Sequence, residues 1–328
     1  MRILITGATG FIGRHLLSES DRQGFSVRAL VRPTSNTDGF PERVELALGD
    51  VTKLESLKEA VRDVDAVFHL AAMLKAPWRP DFLSANAGGI ENIARACAED
   101  PKPPRLVIVS SLAAGGPVEI GDVRDETMVS VPVSRYGRSK LAGERAARAF
   151  ADDVSISIVR PPIVFGEGDA SSLSLFRLAK RGVAISAGRG PSPVTVIHAA
   201  DLATALLVTE KAGEHVSRDE SGEGLYYATG AAPLEFAEFS EKIGEVMGRR
   251  VRRVRTPLAF TWLAAAASEA WGRLTDTPQF LSLDKYREAT GGSWACSGSK
   301  LRELGFRAEP LEARIEQSIA GYRASGDL

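Results

Sequence analysis

The sequence predicts an α/β fold: a doubly wound parallel sheet followed by a smaller, mostly helical C-terminal lobe. Three observations lead there. Short β-branched runs alternate with helical segments through the first half of the chain. Those runs are mostly apolar rather than alternately polar. The first of them ends in "TGATGFIGRHL" (residues 6–16), a turn with a glycine at every third position. Strands covered on both faces read as continuous apolar runs, and helices between them imply parallel pairing through right-handed crossovers.

Strands are expected at Ile3–Thr6, Val27–Val31, Val44–Leu48, Ala66–Leu70, Leu106–Ser110 and Ile156–Val159. Between them, "LESLKEAV" and "GGIENIARACAED" carry apolar residues at helical spacing. After Pro161 the rhythm changes. "GEGDASSLSLFRLAKRG" reads as a loop and helix, and "VTVIHAADLATALLV" as one more strand and helix returning to the sheet. From about residue 230 the chain is mostly helical, most clearly in "APLEFAEFSEKIGEVMG" and "EPLEARIEQSIAGYRA". "GRRVRRVR" (248–255) holds five arginines; its alternation of Val and Arg is that of a half-exposed edge strand.

Composition narrows the class. In 328 residues, 44% are apolar and 25% charged, and the net charge is −1, so nothing points to a nucleic-acid partner. No apolar run is long enough for a membrane span; the nearest, "PLAFTWLAAAA" (257–267), is too short. "MRILITG" lacks the features of a secretion signal, and Cys97 and Cys296 stand far apart, so a reducing, cytoplasmic setting is expected. Four histidines and two cysteines show no metal-ligand spacing, and no metal is expected.

The glycine turn suggests a ligand. Gly7, Gly10 and Gly13, with Phe11 and Ile12 opening the helix, can aim backbone N–H groups and a helix dipole at a phosphate. The spacing is G-x-x-G-x-x-G, a variant of the G-x-G-x-x-G fingerprint of Rossmann-type dinucleotide sites. Asp50 and Val51 follow the third strand, where a carboxylate would meet an adenine amino group. Leu70, Ala71 and Ala72 end the fourth strand and leave room at the sheet's carboxyl edge. At the end of the second strand, Arg32 stands where an NAD enzyme carries an acid. Arginine suits a 2′-phosphate, so NADP(H) is the preferred cofactor and NAD(H) the alternative. The chain then divides into a nucleotide-binding domain, residues 1–165, and a substrate lobe, 166–328, with about 194–210 returning to the first.

A catalytic set follows the fifth strand. Ser134 can cap a helix on which Tyr136 and Lys140, four residues apart, share a face. A tyrosine titrates near ~10, and a nearby ammonium favours its phenolate. Tyr136 could then move a proton at a carbonyl or alcohol, with Ser111 hydrogen-bonding the same oxygen. Phe260, Trp262 and Trp271 would line a pocket for a hydrophobic ketone or pack as ordinary helix.

With these motifs in hand, the chain resembles the extended short-chain dehydrogenase/reductase family over nearly its whole length. "TGATGFIG", "GDV", "VFHLAA", "NAGGIEN", "VSSLAA", "YGRSK", "RPPIVFG" and "IHAADLA" carry the resemblance. Within the family it is similar to 3β-hydroxysteroid dehydrogenase-like and dihydroflavonol reductase-like members. The resemblance implies a Ser111–Tyr136–Lys140 triad, with Lys140 also holding the nicotinamide ribose. It places Asn86 near the cofactor and Pro162 near the nicotinamide, gives His198 a structural role, and implies a homodimer. Ile90 departs from the family's threonine, a change of local packing. Val194 stands where sugar-nucleotide enzymes carry an arginine, which weakens that substrate class. The expected activity is NADP(H)-dependent interconversion of a ketone or aldehyde and an alcohol. The alternatives are a nucleotide-sugar epimerase or dehydratase with tightly bound NAD, and a cofactor-binding protein without turnover.

Overall fold

The computed structural model describes residues 1–72, 82–187, 190–191, 193–275 and 282–328. The first half runs β1 (Arg2–Thr6), α1 (Phe11–Arg22), β2 (Ser26–Val31), β3 (Glu45–Leu48), α2 (Leu54–Val61), β4 (Ala66–His69), α3 (Phe82–Ala98), β5 (Arg105–Val109), α4 (Leu112–Gly115), α5 (Arg135–Arg148) and β6 (Ile156–Arg160). All six expected strands are present, their ends moved by one residue. The second half runs β7 (Ile163–Phe165), α6 (Ala170–Lys180), β8 (Val183–Ala187), β9 (Pro193–Val194), β10 (Val196–His198), α7 (Ala199–Ala212), β11 (Leu225–Tyr227) and β12 (Leu234–Glu235). It ends with α8 (Phe236–Val246), β13 (Arg252–Thr256), α9 (Leu258–Thr275), α10 (Leu283–Thr290), α11 (Ser299–Glu303) and α12 (Leu311–Ala324).

Seven strands form one sheet in the order β11-β6-β5-β4-β1-β2-β3, every neighbouring pair parallel. Alternation along β1 explains the double winding. Ile3 and Ile5 pack with Leu16 and Leu17 of α1 and Leu202 and Leu206 of α7. Leu4, between them, packs on the opposite face with Leu57 of α2, Ile93 of α3 and Ala147 of α5. All of these side chains are buried, and each burial of a Leu or Ile contributes roughly 1.5–3 kcal/mol. The fold is therefore the doubly wound, Rossmann-type α/β sheet that the sequence predicts.

The return of residues 194–210 is divided. Helix α7 does pack on the main sheet, but β10 pairs with β7 in a separate two-stranded ribbon. The strand that completes the sheet is β11, three residues long and absent from the sequence reading. A third apolar cluster, with Phe165, Phe176, Phe239, Ile315 and Tyr322, holds α6, α8 and α12 together. The arginine-rich stretch forms β13, exposed along four of its five residues and paired with β8.

Candidate active site

Strand order reverses between β1 and β4, so the crevice of the sheet opens beyond their carboxyl ends. Gly7 leaves β1 at φ +75, where a Cβ would meet the Ala71 amide at 2.8 Å. At Gly13 a Cβ would sit 2.1 Å from the Gly7 carbonyl oxygen. Only glycine permits this turn and this approach of α1 to the loop. Gly10 is the N-cap, with no side chain to occupy the helix end. Among the described residues, the amides of Phe11, Ile12 and Gly13 find no backbone acceptor. An uncapped helix start with three open donors fits the pyrophosphate of a dinucleotide.

The other expected cofactor residues border the same crevice. Leu70, Ala71 and Ala72 follow β4; the Leu70 amide donates to the Thr6 carbonyl at 3.1 Å and the Ala71 amide to Thr6 Oγ1 at 3.3 Å. Arg32 stands exposed at the end of β2. Asp50, at the end of β3, accepts from the Thr52 amide at 2.9 Å and hydroxyl at 2.8 Å. Those bonds, the amide's foremost, hold its pKa below the ordinary value, with help from the nearby charge of Arg32. Val51 packs against the sheet's core. Pro162 lies in the link between β6 and β7, next to Pro161, whose carbonyl accepts from the Leu112 amide at 2.8 Å.

The proposed catalytic residues are brought together. Ser134 caps α5, its hydroxyl accepting from the Gly137 amide at 2.9 Å. Ser111 caps the short α4 in the same way, through Ala113 at 3.2 Å. Its hydroxyl also hydrogen-bonds the Tyr136 side chain. Burial pushes the Tyr136 pKa up to about 12, the Ser111 bond opposing and the charge of Glu288 adding to the rise. The depression expected from Lys140 is not seen: burial, Ser111 and Glu288 are the groups that move Tyr136, and Lys140 is not among them. Lys140 itself is buried, donates to the Val109 carbonyl at 2.8 Å, and is pushed down to about 8 by burial against the opposing charge of Glu144. Asn86 is buried and donates to Ser139 Oγ at 3.3 Å, which ties α3 to the helix of Tyr136. Ile90 fills the space over Gly143, where a Cβ would meet it at 2.5 Å.

Sequence reasoning missed a buried network behind the triad. Glu144 and Arg160 form an ion pair at 2.6 Å with side chains 2% and 3% exposed. Ser110 donates to the same carboxylate, and Arg160 also donates to Tyr227 at 2.9 Å and Ser130 at 2.9 Å. Two signals pointed to it: Glu144 lies four residues after Lys140, and Arg160 directly follows the apolar pair Ile158 and Val159 at the end of a buried strand. His69 was missed as well. Its Nδ1 bonds Thr6 Oγ1 at 2.9 Å, its buried Nε2 has no partner among the described residues, and burial together with the charge of Lys140 pushes its pKa down to about 3.

Other expectations resolve plainly. His198 is buried, accepts from the Ala200 amide at 3.1 Å and meets Glu167 at 3.2 Å, a structural position at the start of α7. Val194 lies in the apolar cluster around Phe165. Phe260, Trp262 and Trp271 are exposed, which does not suit the lining of an enclosed pocket.

The doubly wound sheet, with a glycine turn and an uncapped helix start at its switch point, and the relatives that follow make the chain an NAD(P)-dependent oxidoreductase. The chain belongs to the NAD-dependent epimerase/dehydratase family, whose model matches residues 3–220. It is 32% identical to a ceramide reductase of Caulobacter vibrioides, over 99% of this chain and 96% of that protein. It is 29% identical to a 4-hydroxy-2-methyl-3-oxo-4-farnesyl-3,4-dihydroquinoline-1-oxide ketoreductase of Stigmatella aurantiaca, over 99% and 97%. Among solved structures, Thermus thermophilus UDP-glucose 4-epimerase in complex with NAD is similar in fold, with a TM-score of 0.75, 21% identity, and coverage of 99% of this chain and 100% of that one.

Proposed function

We propose that the protein is an NADP(H)-dependent reductase of a ketone carried on a hydrophobic, lipid-like molecule. The observation that carries this reading is the placement of Ser111, at the carboxyl end of β5, against Tyr136 on the helix that also carries the buried Lys140; a tyrosine, titrating near ~10 or above, is protonated at neutral pH. A protonated tyrosine is a proton donor, the role that carbonyl reduction needs. Tyr136 gives its proton to the carbonyl oxygen, Ser111 orients that oxygen, and Lys140 holds positive charge beneath the site. A bound nicotinamide cofactor would supply the hydride. Residues 1–165 then serve the cofactor and 166–328 mainly the substrate.

Two further observations support an apolar substrate. Val129 and Val131, 80% and 60% exposed, lie on the segment that leads into the Tyr136 helix. The names of the two bacterial relatives refer to a ceramide and to a farnesyl-bearing quinoline oxide. The test is consumption of reduced cofactor with a panel of long-chain ketones and 4-ketosugar nucleotides. Turnover confined to the sugar nucleotides would overturn the reading. The two buried thiols, Cys97 and Cys296, suit work in a reducing cytoplasm.

Arg32 is the proposed contact for the 2′-phosphate. A charge-assisted bidentate contact is worth roughly 1.5–3 kcal/mol, so Arg32→Ala weakens NADPH about tenfold or more and NADH little. Fluorescence titration of both cofactors measures it, and equal affinities in the unmodified protein would refute the contact. A homodimer through the Tyr136 helix, α5, is the assembly the family resemblance implies; light scattering that reads a monomer would remove it.

A further inference from the structure

Helix α9 is covered on one side only. Of its 18 residues, Ala265 and Gly272 alone are buried. Phe260, Leu263, Ala267, Ala270, Trp271 and Leu274 recur at steps of three and four and form one outward stripe without a charged side chain. Phe260 is 65% exposed, Trp271 62% and Leu274 83%. An apolar surface of this extent on one helix marks a contact site. The adjoining β-ribbon continues it: Val254 and Ile185 are register partners, so they share a face, and both are exposed.

Charge lies directly beside it. Arg249, Arg250, Arg252, Arg253 and Arg255 are all exposed. Arg253 pairs with Glu241 at 2.5 Å. The side chains of the other four make no hydrogen bond or ion pair among the described residues. Pro257 alone separates β13 from α9, and Thr261 Oγ1 donates to Thr256 Oγ1 at 3.1 Å to fix the corner. Exposed tryptophans on an apolar helix next to unpaired arginines match the interface of an anionic bilayer, where the rings lie at headgroup depth and the arginines meet phosphates. A second copy fits less well, since a two-fold contact through this face would bring two arginine clusters together.

We infer that α9 and β13 dock the protein on the surface of an anionic lipid bilayer without crossing it. No helix among the described residues is long and apolar enough to cross. The docked face connects to the reacting tyrosine by a short path. Glu269 of α9 accepts from the Leu283 amide at 3.0 Å, and Asp284 of α10 accepts from the amide of Arg135, the residue before Tyr136, at 2.9 Å.

The experiment is co-sedimentation of the full chain with vesicles of phosphatidylcholine alone or mixed with phosphatidylglycerol. The protein sediments with the mixed vesicles, less with the neutral ones, and less as salt rises. Phe260→Glu with Trp271→Glu weakens partitioning about tenfold or more. Arg252→Glu with Arg255→Glu weakens it on mixed vesicles by at least about fivefold per arginine, and leaves binding to neutral vesicles unchanged. Circular dichroism and melting temperature stay those of the parent, since all four side chains are exposed. Failure to sediment, or sedimentation that neither pair of substitutions changes, overturns the inference. So does a dimer that Phe260→Glu with Trp271→Glu splits in solution while vesicle binding is absent. Turnover plays no part in the assay, so this surface and the reductase reading fail separately.

Discussion

Tyr136→Phe is expected to lower turnover by about 10²–10⁴-fold, the usual worth of positioned acid catalysis, with NADP(H) affinity nearly unchanged. The phenyl ring keeps the packing and loses the one hydroxyl placed against Ser111. Ser111→Ala costs less, about 3 kcal/mol, comparable to one donor at a developing oxyanion. Steady-state kinetics with dichroism as the folding control decides it; substantial residual turnover in a folded Tyr136→Phe would falsify the assignment. The pH profile adds a second reading. Tyr136, at about 12, stays protonated over the working range. Lys140, at about 8, loses its charge as pH rises through that value. Reduction therefore declines above about pH 8, and Lys140→Met removes that limb while also weakening cofactor binding. A rate that holds unchanged to pH 10 would contradict the role given to Lys140.

Glu144→Ala is expected to destabilise the fold by about 3–5 kcal/mol. The carboxylate accepts from Arg160 through two nitrogens and from Ser110, all out of water. Its removal leaves a buried guanidinium held only by Tyr227 and Ser130. Replacing both partners, Glu144→Leu with Arg160→Met, costs far less, because no charge is then stranded. Thermal melting of the two single variants and the double variant measures the difference; a double loss equal to the sum of the single losses would mean the two residues act independently. Glu144→Gln probes function. The Glu144 charge raises the Lys140 pKa, so without it the basic limb of the rate profile moves below about pH 8. A merely structural role would leave the limb in place.

How much of this was legible in the sequence differs from element to element. The tight glycine turn proposed to cradle phosphate was, because it depends on three glycines within seven residues and on the passage from a strand into a helix. The pairing of Tyr136 with Lys140 was, since four residues on any helix share a face. The apposition of Ser111 was legible from its place at the carboxyl end of the fifth strand, where such a sheet binds ligands, for nothing local brings residues 111 and 136 together. Arg32 was readable as a position, the end of the second strand, but not its neighbour Asp50, which arrives from β3. β11 escaped because three residues carry no period.

By itself the sequence determined the doubly wound sheet, the place of its crevice and the identity of the proposed proton donor. Each follows from short-range pattern: apolar runs, glycine spacing, a capped helix. Tertiary structure alone decided the acid–base state of that donor. Burial raises the pKa of Tyr136, and that rise depends on how much water the folded chain excludes. It also decided which charges would be buried as a pair and which apolar side chains would be left outside. Glu144 and Arg160 are charged in any reading, and only the meeting of α5 with β6 makes them a dry ion pair. The apolar residues of α9 have the composition of a core, and they stand in solvent because no other described element of the chain comes to cover them. Burial is a property of what packs against a residue, and that partner lies far away in sequence.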